Sequence, residues 1–387
     1  MSYTSTILSQ VIKECNNYFF ENQVKKYNGD RKTKVIGCSE LLKIMIFSQL
    51  SDQKFTRDIV TGLKSAKSDY YHLGFNKEIK RSTLSYALGK RPNQVFEDFY
   101  YSMLGKLSRK EKRRFGRKVN LIDSTTIGLC LEKFDWAEFR KTKAGIKLHT
   151  LIDYDSLVAE KIIITNAKVH DIKGVRNNIT FKPDEFYVMD RGYASYKYLY
   201  DIHLQKSFFV TRIKKNWKVE KTTSREVDSS TGILADDNIK VVGLKEDEYP
   251  EELRRVTFYH KESGKTLKFI TNNFEVTADE ISDLYKSRWQ IELFFKWIKQ
   301  HLRIKSFYST SKNGVLIQIW SVLITYLLMV IIKRKYSIEK NIYEILRQIR
   351  CFVLKRVDIY HLLSDSFEKG EPPDYDKKHG QLELKFA

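Results

Sequence analysis

Two aspartates in this chain stand where a carboxylate could reach a bound ligand. Asp123 follows the apolar run Val-Asn-Leu-Ile, and Asp190 follows Tyr-Val-Met. In α/β proteins, ligands bind in the crevice outside the carboxyl ends of the strands, so an acid that ends an apolar strand faces that crevice. Taken singly, each aspartate is better explained as a residue that starts a turn or caps a helix. A catalytic interpretation therefore needs a third acid.

Glu292 is the candidate third acid, and it lies in the amphipathic segment DLYKSRWQIELFFKWIKQHLR. At about 100° per residue, Tyr285, Arg288 and Lys299 fall with it within an arc of roughly 60°. Lys296 joins the same face, while the apolar residues point to another side. A salt-bridged surface helix would explain the i,i+4 pair of Glu292 and Lys296. It would not explain the tyrosine or the two strand-end aspartates.

The chemistry open to three converging carboxylates is metal-assisted hydrolysis of a phosphodiester. Two magnesium ions about 3.5–4 Å apart can make a bound water nucleophilic and stabilise the leaving oxygen. Magnesium prefers a few carboxylates together with waters and phosphate oxygens. We therefore expect Asp123, Asp190 and Glu292 to be both the catalytic residues and the ligands of Mg²⁺, for which Mn²⁺ would substitute.

The segments around the two aspartates predict an α/β domain. Between residues 119 and 213, five segments rich in β-branched and aromatic residues predict strands, and two further segments predict helices. Their order is three strands, a helix, a strand, a helix and a strand, as in a ribonuclease-H-like domain, although many α/β folds share it. Residues 215–265 are polar and turn-rich and predict a β-rich insertion. Two long helices are expected at 277–302 and 308–335.

Three motifs resemble the IS4 family of bacterial insertion-sequence transposases. They are DSTT at 123–126, MDRGYAS at 189–195 and a Tyr-Arg-Glu-Lys pattern spread over 285–299. Segments before residue 90, such as LKIMIFSQLSDQKFTRDIV, are similar to the helical N-terminal region of one branch of that family. The resemblance covers most of the chain.

The resemblance implies a DDE transposase whose ribonuclease-H-like catalytic domain carries a β insertion between the second aspartate and the glutamate. It also implies a cut-and-paste reaction through DNA hairpin ends, in which terminal inverted repeats are bound, cut and joined to target DNA. Hairpin formation usually needs a flipped base stacked on an aromatic side chain. The aromatic candidates are Trp217, Phe258, Tyr259 and Trp289. A paired-end complex needs two protomers if each end is cut by one active site, so we expect a homodimer there.

The fold class we expect is α/β: a ribonuclease-H-like catalytic domain with a β-rich insertion, preceded by a helical N-terminal domain. Four segments would carry it. They are a helical DNA-binding domain at 1–105, a basic connector at 106–118, the DDE catalytic domain at 119–335, and a basic C-terminal helix and tail at 336–387.

The charge of the chain favours a polyanionic partner, which we expect to be double-stranded DNA. Lysine and arginine number 69 against 48 acidic residues, which gives a net charge of +21, and protein cations that neutralise phosphates release counterions. The connector KLSRKEKRRFGRK is either a solvated hinge or a phosphate-contacting arm, and both interpretations stay open. As an arm it would contact DNA through Arg113, Arg114, Arg117 and Lys118.

The polar face of the glutamate helix supplies further candidate DNA contacts. Arg288 and Lys299 would neutralise and orient a phosphate. Tyr285 could donate a hydrogen bond to a phosphate, and Lys296 lies on the same face.

Weaker candidates for DNA contact lie near the two aspartates. Arg191 directly follows the second aspartate, and Lys147 and His149 lie on the strand expected beside the first. For His149, a buried and hydrogen-bonded role is the favoured alternative. His170 and Asp171 begin an expected helix, where capping is the favoured interpretation.

Two rival functions stay open. One is a metal-dependent nuclease of the same fold that performs no strand transfer. The other is a non-catalytic, transposon-derived DNA-binding protein, although the three intact acids weigh against it.

Residues 315–332 are apolar enough to cross a membrane, but a helix buried inside a large domain can also be apolar all round. We expect the buried helix and no membrane partner. The N-terminus lacks the basic and apolar regions of a secretory signal, and we expect a bacterial cytoplasmic protein associated with the nucleoid.

Overall fold

The chain forms two compact units in a computed structural model. One unit combines residues 1–108 with 297–387, and the other comprises residues 109–296. The structure describes residues 5–66, 70–75, 77–105, 107, 113–301 and 307–364. Most of the first half of the basic connector and the charged tail from residue 365 lie outside the described residues.

The described part of residues 5–105 forms seven helices, which confirms the helical N-terminal region. They are α1 (Ile7–Lys13), α2 (Asn17–Lys26), α3 (Cys38–Leu50), α4 (Thr56–Ser65), α5 (Tyr70–Leu73), α6 (Arg81–Lys90) and α7 (Asn93–Leu104). Polar side chains help to start them. Asn16 accepts a hydrogen bond from the Phe19 N–H at 3.2 Å before α2. Glu40 accepts one from the Gly37 N–H at 2.9 Å before α3. Such bonds satisfy donors that helices and their flanking turns would otherwise leave free.

The described strands of the second unit form one mixed sheet of ten strands. They are β1 (Val119–Leu129), β2 (Glu138–Arg140), β3 (Lys143–Asp153), β4 (Val158–Asn166), β5 (Phe186–Met189), β6 (Phe208–Arg212), β7 (Val219–Arg225), β8 (Ile233–Val241), β9 (Leu253–His260) and β10 (Lys265–Thr271). The longest of them, β1 and β3, hold ten residue pairs in antiparallel register.

Five strands of this sheet have the order and directions of a ribonuclease-H-like domain. β4, β3 and β1 are antiparallel neighbours, and β5 and β6 continue from β1 in parallel. Parallel strands need crossover connections. α8 (Asp171–Arg176) lies in the connection from β4 to β5, and α9 (Tyr196–Leu204) in the connection from β5 to β6. The predicted order of strands and helices is therefore confirmed.

The β-rich insertion continues this sheet instead of forming a separate layer. β10 pairs antiparallel with β6, and β9, β8 and β7 follow as an antiparallel meander. β9 and β10 are the hairpin that the sequence predicts, and β10 runs to Thr271, beyond the expected end at residue 265. Tyr249, between β8 and β9, is buried against Tyr200 and Phe209. This packing fastens the insertion to α9 and β6.

A break at Arg288 divides the helix that carries Glu292. α10 (Ala278–Ser287) ends before it and α11 (Trp289–His301) begins after it, so the expectation of one helix at 277–302 is wrong. The Arg288 N–H donates to the Tyr285 carbonyl, and the Ile291 N–H donates to the Arg288 carbonyl, both at 3.2 Å. These i→i+3 bonds tighten the turn toward three residues per turn. The tighter turn changes which side chains share a face.

α12 (Lys312–Lys335) is an interior helix of the helical unit. By length and composition it could cross a membrane, but 89% of its most apolar window is buried inside the protein. It packs against α3, α6 and α7, and against α13 (Ile342–Phe352). α14 (Ile359–Leu363) follows, so the basic helix expected near 340–364 is in fact two helices.

Asn313, in the first turn of α12, joins the end of α6 to the start of α7. Its side-chain amide donates to the Leu88 and Arg91 carbonyls at 2.9 and 2.7 Å. Its carbonyl oxygen accepts a hydrogen bond from the Asn93 N–H at 3.2 Å. One side chain thereby satisfies backbone groups at two helix ends.

Substitution of Gly174 tests the packing of α8 on the sheet. A Cβ atom at this position would lie 2.3 Å from the imidazole ring of His149, which is fully buried. We expect Gly174→Ala to lower the free energy of unfolding by about 1–3 kcal/mol, the usual cost of overpacking a core. Chemical denaturation followed by circular dichroism measures this.

Gly89→Ala is the matched control, because a Cβ on this helical glycine meets nothing within 4 Å. It should raise stability by up to about 1 kcal/mol through helix propensity. Equal stability of Gly174→Ala and the wild type would contradict the packing described for α8.

Candidate active site

The register of two parallel strands places Asp123 beside Asp190. Ile122 of β1 is paired with Met189 of β5, so the next residue on each chain segment is one of the two aspartates. Neighbouring strands lie about 4.8 Å apart. Asp190 ends β5 and accepts a hydrogen bond from the Gly192 N–H at 3.4 Å, which starts a short 3₁₀ turn. The two acids are therefore neighbours at the point where the β1–β5 pairing stops. β1 itself continues to Leu129, so Asp123 lies inside its strand, and the expectation that it ends the strand is wrong.

Arg288 links Glu292 to Asp123. Its guanidinium lies 2.7 Å from Glu292 Oε1 and 3.5 Å from Asp123 Oδ2. The Arg288 side chain is only 17% exposed, so these ion pairs are poorly screened by water. One cation therefore links the glutamate of α11 to the aspartate of β1.

The pKa of the Asp123 carboxyl group is affected by the other two acids. Burial raises its pKa to about 6; the charges of Asp190 and Glu292 act in the same direction, and the Ser124 N–H and Arg288 oppose them. The Ser124 N–H donates to Asp123 at 2.7 Å. The three carboxylates therefore share one electrostatic environment, in which a cation is favoured.

Tyr285 lies beneath the site and not on its surface. It is 8% exposed, and its ring packs against Phe269 of β10 with centroids 4.7 Å apart. The Arg288 guanidinium lies 5.7 Å from the centre of the same ring. Burial raises the pKa of the Tyr285 hydroxyl, so it stays a hydrogen-bond donor at neutral pH.

Arg212 belongs to the site, although sequence analysis missed it. Val188 of β5 is paired with Val210 of β6, so Arg212 ends β6 alongside Asp190. Its guanidinium lies close enough to Tyr285 to oppose the rise that burial causes in the pKa of the Tyr285 hydroxyl. The signal was present in the sequence, because Arg212 ends a predicted strand just as the two aspartates do.

A second polar cluster lies behind Asp123. The Ser124 hydroxyl donates to Asp171 Oδ1 at 2.6 Å, and Lys147 Nζ donates to the same oxygen at 3.1 Å. Lys147 also donates to the Val169 carbonyl at 2.8 Å and is only 14% exposed. The cluster fixes the residue that follows the catalytic candidate Asp123.

This cluster corrects two expectations. Lys147 is held inside the protein by Asp171, so it does not present a charge to DNA. The expected capping by His170 and Asp171 is also wrong. His170 makes no side-chain capping bond, and the Asp171 carboxylate turns to Ser124 and Lys147.

His149 is fully buried, which corrects its assignment as a DNA contact. Its Nε2 atom lies 3.0 Å from the Thr165 hydroxyl, and its ring packs over Gly174. Burial lowers the pKa of His149 to about 4, so the ring is neutral at physiological pH. The alternative of a buried, hydrogen-bonded histidine describes this residue.

Three cations of the connector are paired with carboxylates of the same unit. Arg113 contacts Asp153 and Asp155 at 3.0 and 3.3 Å. Arg117 and Lys118 each contact two acids as well. These acids are Asp184 at 2.7 Å and Glu275 at 2.8 Å for Arg117, and Glu160 at 2.6 Å and Asp153 at 3.7 Å for Lys118. Neither the free hinge nor the phosphate-contacting arm fits these three residues, because their charges are already compensated.

Among the candidate DNA contacts, the cations that remain exposed are Arg114, Arg191, Lys296 and Lys299. Arg114 donates to the Tyr154 hydroxyl at 2.6 Å but stays open to solvent. Lys296 and Lys299 follow Glu292 along α11, one and two turns further. The charges of these four residues are open to solvent.

The aromatic candidates differ in exposure. Trp217 stacks on Tyr196 with ring centroids 3.8 Å apart, and Phe258 is 8% exposed. Tyr259 is 39% exposed, and Trp289, three residues before Glu292, is 58% exposed. Trp289 is therefore the candidate that is both open to solvent and close to the acids.

The donor set suits a divalent cation, although the side chains are not arranged around one. Within the described ranges, no group of three or more His, Cys, Asp or Glu side chains stands close enough to hold a metal ion. The Arg288 guanidinium lies between two of the acids instead. Carboxylate oxygens are nevertheless the ligands that magnesium and manganese prefer.

A ribonuclease-H-like sheet with acids on two adjacent parallel strands defines the class as an enzyme that acts on nucleic-acid phosphodiesters. A family model described as "Transposase DDE domain" matches residues 114–328, more than half of the chain. A second model, described as "Domain of unknown function (DUF4372)", matches residues 3–76. The chain belongs to the DDE transposase family.

Curated relatives agree with this assignment. A protein of Sinorhizobium fredii (strain NBRC 101917 / NGR234) named "Putative transposase y4zB" is 34% identical over 255 residues, which cover 65% of this chain and 71% of the relative. The "Putative transposase for insertion sequence element IS4SA" of Synechocystis sp. (strain ATCC 27184 / PCC 6803 / Kazusa) is 29% identical over 315 residues, or 78% and 86% of the two chains.

A solved structure of a piggyBac transposase synaptic complex with hairpin DNA aligns with 95% of this chain and 80% of its own. The TM-score is 0.45 and the sequence identity 11%, too low to support a comparison of the two sites. The chain is an insertion-sequence transposase of the DDE type, as the resemblance to the IS4 family implied.

Asp171→Asn tests whether the cluster behind Asp123 positions that acid. The change removes the charge that holds Lys147 and weakens the acceptor of the Ser124 hydroxyl. We expect DNA cleavage to fall by about 10- to 100-fold, the range typical of residues that orient metal ligands, with the fold retained. The control is Asp201→Asn, which removes a surface ion pair with Arg176. Wild-type cleavage by Asp171→Asn would reject the positioning role.

His149 should make stability depend on pH. Its pKa is about 4 in the folded protein and near 6.5 when unfolded, so the unfolded state binds more protons between these values. The free energy of unfolding should therefore fall as the pH is lowered from 6.5 to 4, by up to about 1.4 kcal/mol per unit.

His149→Gln removes this titration, so its stability should vary less across the same pH range than that of the wild type. Urea denaturation at several pH values measures the difference, with His260→Gln in the exposed hairpin as control. An unchanged pH slope in His149→Gln would show that His149 is not buried in its neutral form.

Proposed function

We propose that this transposase binds the terminal inverted repeats of its insertion sequence, cuts the DNA by metal-dependent hydrolysis and joins the ends to target DNA by transesterification. Asp123, Asp190 and Glu292 are the catalytic residues of this proposal. The observation that carries it is the convergence of the three acids, through the β1–β5 register and the shared contact of Arg288.

DDE transposases use divalent metal ions, and we propose Mg²⁺, with Mn²⁺ as a substitute. The bound ions would activate the attacking water or hydroxyl and stabilise the leaving oxygen. Asp123, Asp190 and Glu292 would hold them through carboxylate oxygens. Arg288 neutralises two of these acids in the free protein. Because cations repel one another at short range, its guanidinium would turn away from them toward a DNA phosphate when metal is bound.

Other side chains of the site would bind and orient the DNA. Tyr285 would donate a hydrogen bond to a DNA phosphate, since burial keeps its hydroxyl protonated. Arg191, Lys296 and Lys299 are exposed and carry the charge that phosphates require. Lys299 completes the Tyr-Arg-Glu-Lys pattern that Tyr285, Arg288 and Glu292 begin.

Hairpin ends are part of the proposed reaction, and Trp289 is the aromatic residue we propose for the flipped base. Its indole is 58% exposed at the start of α11. Base stacking on an aromatic side chain stabilises unpaired nucleotides by about 1–3 kcal/mol.

The proposed partners are double-stranded transposon ends and target DNA, held by a homodimer in the paired-end complex. The helical N-terminal region would be the DNA-binding domain. The proposed location is the bacterial cytoplasm, in association with the nucleoid.

Glu292→Gln tests the catalytic assignment. It keeps the size of the side chain but removes the charge, and neutral amides are poorer magnesium ligands than carboxylates. We expect cleavage of a plasmid that carries the terminal repeats to fall at least about 100-fold in Mg²⁺, the scale of losing a metal ligand from a hydrolytic site. Binding of the repeat DNA should change much less.

The control is Asp283→Asn, an exposed acid on α10 that pairs with Lys286. Wild-type cleavage by Glu292→Gln would refute the role of this glutamate. Products distinguish the rivals: joined ends in a target plasmid indicate transposition, cleavage without joining indicates a nuclease, and intact DNA indicates a binding protein.

A further inference from the structure

Helix α6 has one buried and one exposed side. Leu84, Ala87 and Leu88 point into the helical unit and are at most 1% exposed. The opposite side consists of residues that recur at helical spacing and are all exposed. They are Arg81, Ser82, Ser85, Tyr86, Gly89 and Lys90. We call this surface the α6 face.

The α6 face suits close approach to a polyanion. Acidic residues are absent from positions 79–96 of the sequence. Ser82, Ser85 and Gly89 have small side chains or none, so they do not block a close approach, and the space around Gly89 is open. Tyr86 is 61% exposed. The ten residues of α6 span about 15 Å, and the major groove of DNA, about 12 Å wide, admits a helix of this kind.

A cationic cavity of about 340 Å³ lies at the start of α6. Lys54, Arg57 and Arg81 line it, and in the described part of the chain none of the three has a carboxylate within 4 Å. Phe55 beside them is 59% exposed. The Asp58 carboxylate in the same lining accepts the Phe55 N–H at 3.1 Å. These cations differ from Arg113, Arg117 and Lys118 of the connector, which are paired with acids.

The α6 face is also rigidly supported. Asn313 binds the carbonyl of Leu88 near the end of the helix, and α6 packs on α4 and α12. A preformed surface loses little conformational entropy on binding.

We propose that the α6 face enters the major groove of the transposon-end duplex. Ser82, Ser85 and Tyr86 read base edges there, and Lys54, Arg57, Arg81 and Lys90 contact the flanking phosphates. This inference rests on the proposed binding of terminal repeats, and it assigns that binding to one surface. Charge complementarity selects DNA over an apolar partner.

A triple variant tests base reading without changing charge. Ser82→Ala, Ser85→Ala and Tyr86→Ala together replace exposed residues by the strongest helix former, and circular dichroism checks the fold. The probes are a duplex with the inverted repeat that borders the reading frame and a scrambled duplex of equal composition. The full-length triple variant should lose about 10- to 100-fold of affinity for the repeat. Its affinity for the scrambled duplex should stay that of the wild type.

A second variant tests the phosphate contacts. Lys54→Ala with Arg57→Ala should weaken binding to both duplexes equally and flatten the salt dependence by about 0.9 log unit for each phosphate that is no longer neutralised. Tyr343→Ala is the control, since Tyr343 is 53% exposed on another helix of the same unit. It should bind both duplexes as the wild type does.

Each result has a definite meaning. If the wild type prefers the repeat and the triple variant keeps that preference, the α6 inference is overturned while the proposed function stands. If methylation of guanine N7 in the repeat weakens binding of the protein, a major-groove contact is supported, because N7 lies in that groove. If methylation has no effect on binding, the major-groove contact is overturned. A triple variant that instead loses self-association in sedimentation assigns the face to a second copy of the chain and overturns the inference. If the wild type fails to prefer the repeat and fails to cut it, both proposals fall.

Discussion

The ion pairs of Arg288 are the interaction on which the rest of the site depends. Two acids that share a poorly hydrated pocket repel each other, and each loses solvation when it is buried. The guanidinium between Asp123 and Glu292 offsets both costs. Its position follows from the tight turn between α10 and α11 and from the Tyr285 ring packed on β10. The helix break and the aromatic contact together place the Arg288 guanidinium between the two acids.

The fold and the three acids could be predicted because their signals are local. Asp123 and Asp190 each follow a short apolar run, and Glu292 stands on an amphipathic segment, so neighbouring residues indicate the strands, their order and the three acids of the proposed site. Arg212 and the Asp171 cluster were missed. Ser124 and Asp171 are 47 positions apart, and no periodicity in the sequence links residues at that distance.

The basic connector and His149 show that the role of a charged or polar residue cannot be predicted from sequence when its tertiary contacts are unknown. The sequence shows the sign of Arg113, Arg117 and Lys118, but their acids come from β3, β4 and distant loops. In the same way, His149 is buried because Gly174, on another element, has no side chain to displace its ring. Where a polar residue ends up depends on what the tertiary fold packs against it.

The outermost strand of the insertion has a consequence for crowding on DNA. β7 closes one edge of the long sheet, and its side chains are mostly exposed. An open edge carries unpaired N–H and C=O groups that could template a strand from another chain. Glu220, Lys221 and Arg225 place charges of both signs along this edge, and such charges disfavour fusion of two sheets. Many copies gathered on one plasmid could therefore stay separate molecules instead of forming fibrils.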